Sequence, residues 1–333
     1  MRTELSQVQS RQGAWLAYLV YRHRYFFGFV SIGFLSILLE IALIQKALPS
    51  GWPWSLRVLA GFACGLLFSF VGNTFFNFKV QRQYFFRTLL LFGTVSIISF
   101  AVNMAAVTLL RSVLGDDYAV SRIVTTGMFF LIFYGLHRRY TFDMARNFGL
   151  ALYVSEAENV QHAFARVGPN CDHLHMDLID TTMKADASPV NVERIDQARS
   201  LWPRLPVCLH VMSQTPARWV EATWDKVDWY LFHVQSDDDL MELIFECRRR
   251  KKKVGVVWQR GITARDLMPY LPHIDYLMIL GIAVPGQSGQ KMCEEALAAA
   301  NTLADMRKRY GYNMIFDGGV TVDNVGSIPA TYI

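Results

Sequence analysis

A stretch of alternating polar and apolar residues, Asp172 to Asp180, carries the side chains best suited to chemistry in this sequence. Read as a β-strand, it directs His173, His175 and Asp177 to one face and the intervening apolar residues to the other. An imidazole and a carboxylate two positions apart on one face form half of a divalent-metal site, and equally half of a proton-transfer site. Taken alone, the stretch is just as compatible with a barrel strand whose polar residues hydrogen-bond one another.

The elements that would position these side chains form a regular series. Short apolar strands alternate with helical segments from about residue 150 onwards, and the predicted strands are Leu150 to Val154, Leu174 to Leu178, Val207 to Val211, Trp229 to Val234, Val254 to Trp258, Tyr276 to Gly281 and Met314 to Phe316. With amphipathic stretches such as Cys293 to Arg309 between them, the spacing favours βαβ units and an α/β (β/α)8 TIM barrel. In that fold the chemistry lies at the C-terminal ends of the strands.

Four polar side chains collect at those strand ends. They are His175 and Asp177 on strand two, His210 on strand three and Asp317 on strand seven. Two imidazoles and two carboxylates suit a divalent transition metal such as Zn, Fe, Mn or Co. The two carboxylates are also able to take up and return protons on opposite faces of a substrate, while a metal stabilises the negative charge that develops when a C–H bond next to a carbonyl breaks.

The composition divides the chain of 333 residues, of which 52% are hydrophobic, into two parts. The first part is dominated by apolar side chains and the second has the mixed charge of a soluble domain, so we predict domains at 1–145 and 150–333. The five cysteines are scattered without CxxC spacing, which argues against a disulfide framework or a zinc knuckle. The net charge of +5 comes with no aromatic-interleaved basic patch, so no nucleic-acid partner is expected.

Four apolar runs in the first part are long enough to cross a bilayer, which needs about 20 residues per helix. They extend from Phe26 to Gln45, Leu56 to Phe76, Thr88 to Leu110 and Val120 to Leu136. Lys and Arg concentrate before the first run, between the second and third, and after the fourth. By the positive-inside rule, we expect a multi-pass protein of a bacterial-type inner membrane with both termini in the cytoplasm.

The two helix pairs carry similar short sequences. His23 to Phe27 before the first run resembles Arg82 to Phe86 before the third, and Asn73 to Phe78 after the second resembles His137 to Phe142 after the fourth. A parallel internal repeat of this kind is typical of transporters, although aromatic and basic residues at both membrane interfaces would produce similar matches. Glu40 lies inside the first run, where an acid is costly, so it is either functional or held by a hydrogen bond inside the bundle.

The closing sequence His137-Arg-Arg-Tyr-Thr-Phe142, together with the four-span layout, resembles the GtrA-like membrane proteins over roughly residues 20–145. The resemblance implies an α-helical membrane domain that handles a polyprenyl-phosphate-linked sugar, usually by translocating it across the membrane. His137 stands where that family usually has Asn, so the resemblance assigns no specific role to it.

Five short sequences in the second part follow one another in a recognisable order. They are His175-Met-Asp-Leu-Ile-Asp180, Leu209-His-Val-Met212, Phe232-His-Val234, Pro285-Gly-Gln-Ser-Gly-Gln-Lys291 and Phe316-Asp-Gly-Gly-Val320. In order and approximate spacing they resemble the ribulose-phosphate 3-epimerases, over essentially all of residues 150–333. The resemblance implies a divalent-metal cofactor held by His175, Asp177, His210 and Asp317, with Asp177 and Asp317 as the acid/base pair.

The same resemblance implies that two loops hold the substrate. The expected contacts are Gly286, Gln287, Ser288, Gly289, Gly318 and Gly319, of which the last two offer backbone N–H groups that suit a phosphate. The departures concern the substrate and not the ligands, because Leu152 or Tyr153 stands where the family has a substrate-contacting Ser, and Thr181 replaces its Gly. The eighth strand would begin near Ala330 and is cut off at Ile333, so we expect an incomplete barrel.

A charge run, Arg248 to Lys253, falls between the fourth barrel helix and strand five. It is either a solvated helix end favoured by the helix dipole or a contact for anionic lipid headgroups.

We therefore expect a bifunctional protein, with a metal-dependent epimerase barrel coupled to a membrane domain that translocates a polyprenyl-phosphate-linked sugar. The expected partners are a sugar phosphate or nucleotide sugar at the barrel, the polyprenyl-linked sugar and membrane lipids; the oligomeric state stays open. The alternative is a non-catalytic barrel that binds a sugar and regulates or scaffolds the membrane domain. The metal content of the purified protein discriminates between the two.

Overall fold

Two units make up the structure, a computed structural model that describes residues 19–80, 84–114, 117–287 and 289–333. A helical unit spans His23–Ala145, and a unit built on a parallel β-sheet spans Arg146–Ile333. Ser288, one of the predicted substrate contacts, lies outside the described residues.

Four long helices form the helical unit, and each is long and apolar enough to cross a membrane. They are α1 (Arg24–Ala42), α2 (Trp54–Val71), α3 (Phe85–Leu114) and α4 (Tyr118–Leu136). The prediction of four spanning helices is confirmed, and their large apolar side chains remain exposed along the helices, as expected where lipid is the solvent.

Three of these helices continue into a turn of π-helix, formed by Leu43–Ala47, Gly72–Asn77 and His137–Thr141. In the second and third of these turns, the backbone N–H groups of Phe78 and Phe142 donate to the carbonyl oxygens of Asn73 and His137, at 2.8 Å in both cases. The rings of Phe78 and Phe142 stack with their centroids 4.0 Å apart. Similar turns at similar sequences support the predicted internal repeat.

Two glycines allow α1 and α2 to pack closely. A Cβ atom on Gly61 would lie 2.6 Å from Ile44 Cγ1, and one on Gly65 would lie 3.1 Å from the Ser36 carbonyl oxygen. The Ser36 hydroxyl in turn donates to the Gly65 carbonyl oxygen at 2.7 Å. Small residues four positions apart are a common means of helix approach in membranes, because apolar burial adds little driving force there.

Glu40 is paired inside the helical bundle and is only 2% exposed. Arg122 donates to both of its carboxylate oxygens, from Nε at 2.9 Å and from Nη2 at 3.0 Å. The Tyr118 hydroxyl donates to the same carboxylate at 2.9 Å. The structure therefore favours the interpretation in which Glu40 is held by hydrogen bonds inside the bundle. Its pairing with Arg122 has the bidentate geometry that makes an Arg–carboxylate pair strong.

Parallel strands alternate with helices in the second unit, in the sheet order β1 to β7. The strands are β1 (Gly149–Tyr153), β2 (His173–Ile179), β3 (Val207–Met212), β4 (Trp229–His233), β5 (Lys253–Trp258), β6 (Tyr276–Leu280) and β7 (Asn313–Asp317). The intervening helices are α5 (Val160–Val167), α6 (Glu193–Leu201), α7 (Ala217–Thr223), α8 (Leu240–Arg249), α9 (Ala264–Leu267) and α10 (Glu294–Tyr310). This curled parallel sheet confirms the predicted fold class of an incomplete TIM barrel.

Side chains along each strand alternate between two apolar layers. Leu174, Met176 and Leu178 of β2 are fully buried in the layer shared by the sheet and the helices. A second layer fills the inside of the curled sheet and contains Cys208, Trp229, Leu231, Val257, Tyr276, Met278, Leu280, Ile282 and Ile315. His173 packs against Trp229 of this inner layer, which confirms the alternation predicted for β2.

Residues 331–333 occupy the space between β7 and β1. The Phe316 N–H donates to the Tyr332 carbonyl oxygen at 2.9 Å on one side, and the Gly149 N–H donates to the Ile333 carbonyl oxygen at 2.6 Å on the other. Tyr332 forms parallel bridges with both Ile315 and Asn147. The ring of strands is thus closed at this level by backbone hydrogen bonds.

Three side chains of the basic run form hydrogen bonds or ion pairs within the barrel. Arg248 donates to the His273 carbonyl oxygen at 2.7 Å, Arg250 pairs with Glu221 at 2.9 Å, and Lys252 donates to the Val227 carbonyl oxygen at 2.7 Å. These contacts tie the end of α8 to α7 and to neighbouring connecting segments, which favours the helix-end interpretation of the run.

Breaking the Glu40–Arg122 pair should destabilise the helical unit. Glu40→Leu leaves the Arg122 guanidinium buried without a counter-charge, so we expect the free energy of unfolding to fall by about 3–5 kcal/mol. The double variant Glu40→Leu/Arg122→Met should recover most of this loss, measured by thermal unfolding in detergent. Asp143→Asn is the control, since it removes the partner of the more exposed Arg87 and should cost under about 1 kcal/mol. Equal losses in the Glu40 and Asp143 variants would contradict this account.

Candidate active site

The four predicted ligands lie together at the C-terminal ends of three strands. His175 and Asp177 come from β2, His210 from β3 and Asp317 from the last position of β7, and one ligand atom from each lies within 4.8 Å of all the others. The register brings them together, because Asp177 pairs directly with His210 across β2 and β3. A second cluster of this kind does not occur in the part of the chain that the structure describes.

The distances inside this cluster suit a bound cation. His210 Nδ1 lies 2.9 Å and His175 Nε2 lies 3.2 Å from the same Asp177 oxygen, and His175 Nε2 lies 3.9 Å from an Asp317 oxygen. His175 Nε2 is nevertheless buried without a hydrogen bond. A buried nitrogen that faces two carboxylates and bonds to neither is in the position of a ligand, so the residues present fit a divalent metal.

The two carboxylates of the cluster have opposite protonation preferences. Burial alone would raise the pKa of Asp177, but the neighbouring His175 and His210 hold it below its usual range. Burial raises the pKa of Asp317, and the negative charge of Asp177 raises it further. Asp177 in turn raises the pKa of His175 well above its usual value, against the effect of burial. Adjacent carboxylates whose pKa values are driven apart are typical of acid/base pairs.

Two further histidines lie buried close to the cluster. His233, the last residue of β4, places its Nε2 2.8 Å from His210 Nε2, and burial lowers its pKa to about 3. His173 shares the face of His175 but lies one layer deeper, where its ring packs against Trp229 and Tyr332. Sequence reasoning assigned no role to His233, although the sequence Phe232-His-Val234 had already marked the position.

Tyr153, and not Leu152, faces the cluster from β1. Leu152 is buried in the layer shared with the helices, whereas Tyr153 pairs with Asp177 in the strand register. Burial raises the pKa of the Tyr153 phenol, and the charges of Asp177 and Asp317 add to the shift. A phenol therefore stands at this edge of the site, where the sequence left two positions open.

The predicted substrate loops follow β6 and β7. Gly286 and Gly289 have φ values of 70° and 78°, and Gly318 and Gly319 have φ values of 91° and 69°. A Cβ atom on Gly319 would collide with the backbone of Met292, so the two loops touch here. Backbone in the left-handed conformation is able to present successive N–H groups to an anion, which is the usual form of a phosphate site. Gln287 contributes its carbonyl oxygen to a hydrogen bond from Gln290 within the first loop.

Asp180 anchors the loop that leaves the site after β2. Its buried carboxylate accepts hydrogen bonds from Arg218 at 2.6 Å, from the Trp219 indole at 2.7 Å and from the Thr182 backbone N–H at 2.9 Å. Burial opposes its ionisation, but bonds from Ser213, Thr182, Arg218 and Trp219 hold the pKa of Asp180 below its usual range. The carboxylate is thus a structural acceptor and stays ionised near neutral pH.

Comparison with known proteins identifies similar families for both units. Residues 150–331, more than half of the chain, match the Ribulose-phosphate 3 epimerase family, and residues 28–142 match the GtrA/DPMS transmembrane domain. Both resemblances predicted from the sequence are confirmed.

The similar curated proteins are ribulose-phosphate 3-epimerases. The protein of Treponema pallidum (strain Nichols) is 30% identical over 119 residues, which cover 35% of this chain and 54% of that protein. The protein of Aquifex aeolicus (strain VF5) is 23% identical over 167 residues, or 49% of this chain and 74% of that protein. For Mycobacterium leprae (strain TN) the identity is 25% over 167 residues, or 48% and 72%. The chain thus spans about half the length of the Treponema relative.

Removing the Asp180 carboxylate should loosen the barrel in a pH-dependent way. Asp180→Ala leaves Arg218 and Trp219 without their acceptor, so we expect the free energy of unfolding at pH 7 to fall by about 3 kcal/mol. Because the folded pKa is lowered, the contribution is complete above the unfolded value of about 3.9 and is lost as the pH falls towards the folded value. The difference from the wild type, followed by thermal unfolding in detergent, should therefore shrink below about pH 4.

Asp186→Ala is the matched control, since Asp186 lies in the same loop with its side chain 83% exposed. A difference between Asp180→Ala and the wild type that stays constant down to pH 2 would contradict the role assigned to the carboxylate.

Proposed function

The chain belongs to the ribulose-phosphate 3-epimerase family, and we propose that its barrel is a divalent-metal-dependent epimerase of a sugar phosphate. The observation that carries the proposal is the convergence of two imidazoles and two carboxylates from β2, β3 and β7. His175 Nε2 supports it further, because this buried nitrogen faces the carboxylates of Asp177 and Asp317 and has no hydrogen bond.

His175, Asp177, His210 and Asp317 would hold the metal, which we infer to be Zn, Mn, Fe or Co from the mixed nitrogen and oxygen donors. When bound, the metal supplies a positive charge next to the substrate carbonyl and lowers the cost of breaking the neighbouring C–H bond. The residues themselves orient the substrate and exclude water, since His175 and His210 are buried.

Asp177 and Asp317 are the proposed acid/base pair. They come from different strands, β2 and β7, which would let them act on opposite faces of a substrate carbon. One of the two would accept the proton from the substrate carbon, and the other would return a proton to the opposite face. Loss of a proton from one face and its return to the other inverts the carbon without a change in composition.

The loops after β6 and β7 are the proposed holder of the substrate phosphate. Gly286, Gly289, Gly318 and Gly319 would supply backbone N–H groups, and Gln287 and Ser288 remain further contacts predicted from the sequence. Ribulose 5-phosphate is the first substrate to test, but Tyr153 and Thr181 argue for a different sugar phosphate or a nucleotide sugar. Tyr153 in particular pairs with Asp177 in the strand register, so it would place a phenol beside the substrate.

The four apolar helices and the GtrA/DPMS match make the chain a membrane protein. We propose an inner-membrane location with both termini in the cytoplasm, on the distribution of Lys and Arg along the sequence. We propose further that the helical unit translocates a polyprenyl-phosphate-linked sugar. Because one chain carries both units, an epimerised sugar and its membrane carrier would be handled at a fixed ratio of the two activities.

A cavity of about 520 Å³ in the helical unit supports a lipid-linked ligand. Its lining is mainly apolar, with aromatic rings such as Phe26, Phe62 and Phe100, and it includes the Glu40–Arg122 pair. The two charges of the pair neutralise each other, so this part of the lining offers hydrogen bonds and no net charge, which suits sugar hydroxyls at the head of an apolar chain.

The epimerase proposal predicts about one divalent ion per chain in the protein purified in detergent, measured by inductively coupled plasma analysis. Incubation with ribulose 5-phosphate in heavy water should exchange the hydrogen at the epimerised carbon. Asp177→Asn or Asp317→Asn should lower this exchange by about 10² to 10⁴, because each removes one proton-transfer group. Asp323→Asn is the control, since this carboxylate is exposed on the loop that follows β7.

A wild-type chain that is metal-free and takes up no Mn, Zn or Fe would overturn the epimerase proposal. The non-catalytic sugar-binding barrel would then be the better description. Full exchange activity in Asp317→Asn would remove Asp317 from the acid/base pair.

The cavity predicts a measurable role for Thr126, which lines it and accepts a hydrogen bond from Arg122 at 2.9 Å. Thr126→Val should weaken the binding of a polyprenyl-phosphate hexose by about 3- to 10-fold, since it removes one hydrogen-bonding group. Native mass spectrometry of the detergent-solubilised chain gives the comparison. Thr108→Val is the matched control, because the exposed Thr108 hydroxyl bonds only to its own helix. Equal affinities in all three proteins would argue against the cavity as the binding site.

A further inference from the structure

His210 is held between two partners that compete for the proton of its ring. Its Nδ1 lies 2.9 Å from an Asp177 oxygen, and its Nε2 lies 2.8 Å from His233 Nε2. His210 and His233 are 0% and 2% exposed, so water does not compensate for a mismatched donor. The two rings are nearly parallel, at an interplanar angle of 16°.

We propose that His233 is a positioning residue that sets which nitrogen of His210 carries the proton, and so prepares His210 Nδ1 to ligate the metal. The inference rests on the metal centre proposed above and adds the chemistry that makes one of its ligands available. His233 itself touches neither the metal nor the substrate.

The proton count explains the role. A 2.8 Å approach of two imidazole nitrogens requires one proton between them. Without a cation, His210 Nδ1–H donates to Asp177, so His210 Nε2 accepts a proton from His233 Nε2–H. With a cation at His210 Nδ1, the proton of His210 is on Nε2 and is donated to His233 Nε2, while the proton of His233 is on Nδ1. The pair holds two protons in both states, so none has to be released.

The hydrogen bonds from Asp177 through His210 to His233 form a relay, and Gln259 lies at its His233 end. Gln259 offers an acceptor for the state in which a cation is bound. His233 Nδ1 and Gln259 Oε1 are both buried without a hydrogen bond. Gln259 is a side-chain neighbour of His233. The Gln259 amide nitrogen donates to Gln235 Oε1, and this bond fixes the amide so that its oxygen is free for another donor. When the His233 proton is on Nδ1, Gln259 Oε1 is the group that accepts it.

A structural role and a positioning role of His233 predict different effects of substitutions on metal binding. His233→Phe keeps a ring of similar size against His210 but removes both nitrogens. In His233→Gln the amide is able to donate or accept by rotating, so the choice of tautomer on His210 is preserved. His173→Phe is the matched control, because His173 is also a buried histidine of the barrel interior but has no hydrogen bond to a proposed ligand.

The experiment is a cobalt(II) titration of the full chain in detergent, followed by the visible absorbance of the bound ion in competition with a chelator. We expect His233→Phe to weaken cobalt binding by about 10- to 100-fold, as is usual when the hydrogen-bond partner of a ligating histidine is removed. His233→Gln should restore most of the affinity, and His173→Phe should leave it unchanged. Gln259→Leu, which removes the outer acceptor together with the bond to Gln235 but leaves His233 in place, should weaken binding by a smaller factor.

The outcomes separate this inference from the epimerase proposal. A wild-type chain that binds no cobalt overturns the metal centre itself. If the wild type binds cobalt and His233→Phe matches it in affinity and spectrum, the metal centre stands and the positioning role is wrong. Should His233→Phe not fold, Gln259→Leu and His233→Gln decide the question, and unchanged affinity in Gln259→Leu together with a loss in His233→Gln would overturn the relay.

Discussion

The parallel register between β2 and β3 is the constraint on which the candidate site depends. It sets Asp177 opposite His210 and leaves both side chains on the inner face of the curled sheet. A slip of one residue would move the inward-facing residues of β2 into the layer packed against the helices and bring Leu174, Met176 and Leu178 inside. The apolar side chains that hold the register therefore also determine that the ligands meet, because strand alternation links the two faces rigidly.

Buried polar groups need hydrogen-bond partners, and the two units of this protein meet that need differently. In the helical unit, the Glu40 carboxylate accepts hydrogen bonds from Arg122 and Tyr118, so its partners all lie within the bundle. In the barrel, His175 Nε2 faces two carboxylates and remains without a hydrogen bond. A carboxylate that is fully paired is part of the structure, whereas two imidazoles and two carboxylates gathered within 4.8 Å of one another suit a further, cationic partner.

The same argument connects the metal ligands to the residues behind them. Asp177, His210 and His233 form a line of hydrogen bonds from β2 to β4. Each strand contributes one member at about the same height, because parallel strands of one barrel end at the same face. The protonation of a ligating histidine therefore depends on its neighbour on the next strand. The environment of His233 influences which nitrogen of His210 carries the proton.

Much of this organisation could be predicted from the sequence. The features that could not be predicted share one physical cause. Span lengths, strand positions and the alternation in β2 follow from local hydrophobic periodicity, which neighbouring residues encode by themselves. The four candidate ligands could be predicted because each one lies at the end of a predicted strand or within a recognisable short sequence. The choice of Tyr153 over Leu152, by contrast, required the face of β1 to be known.

Partners distant in the chain were decided by the tertiary structure alone. Arg122 is 82 positions from Glu40, and Trp219 is 39 positions from Asp180. His233 acquires its proposed role only because folding brings its ring against His210 on the adjacent strand. Local periodicity specifies which face a residue occupies, whereas the partner that it meets there depends on how separate segments pack, and no pattern within one segment carries that information.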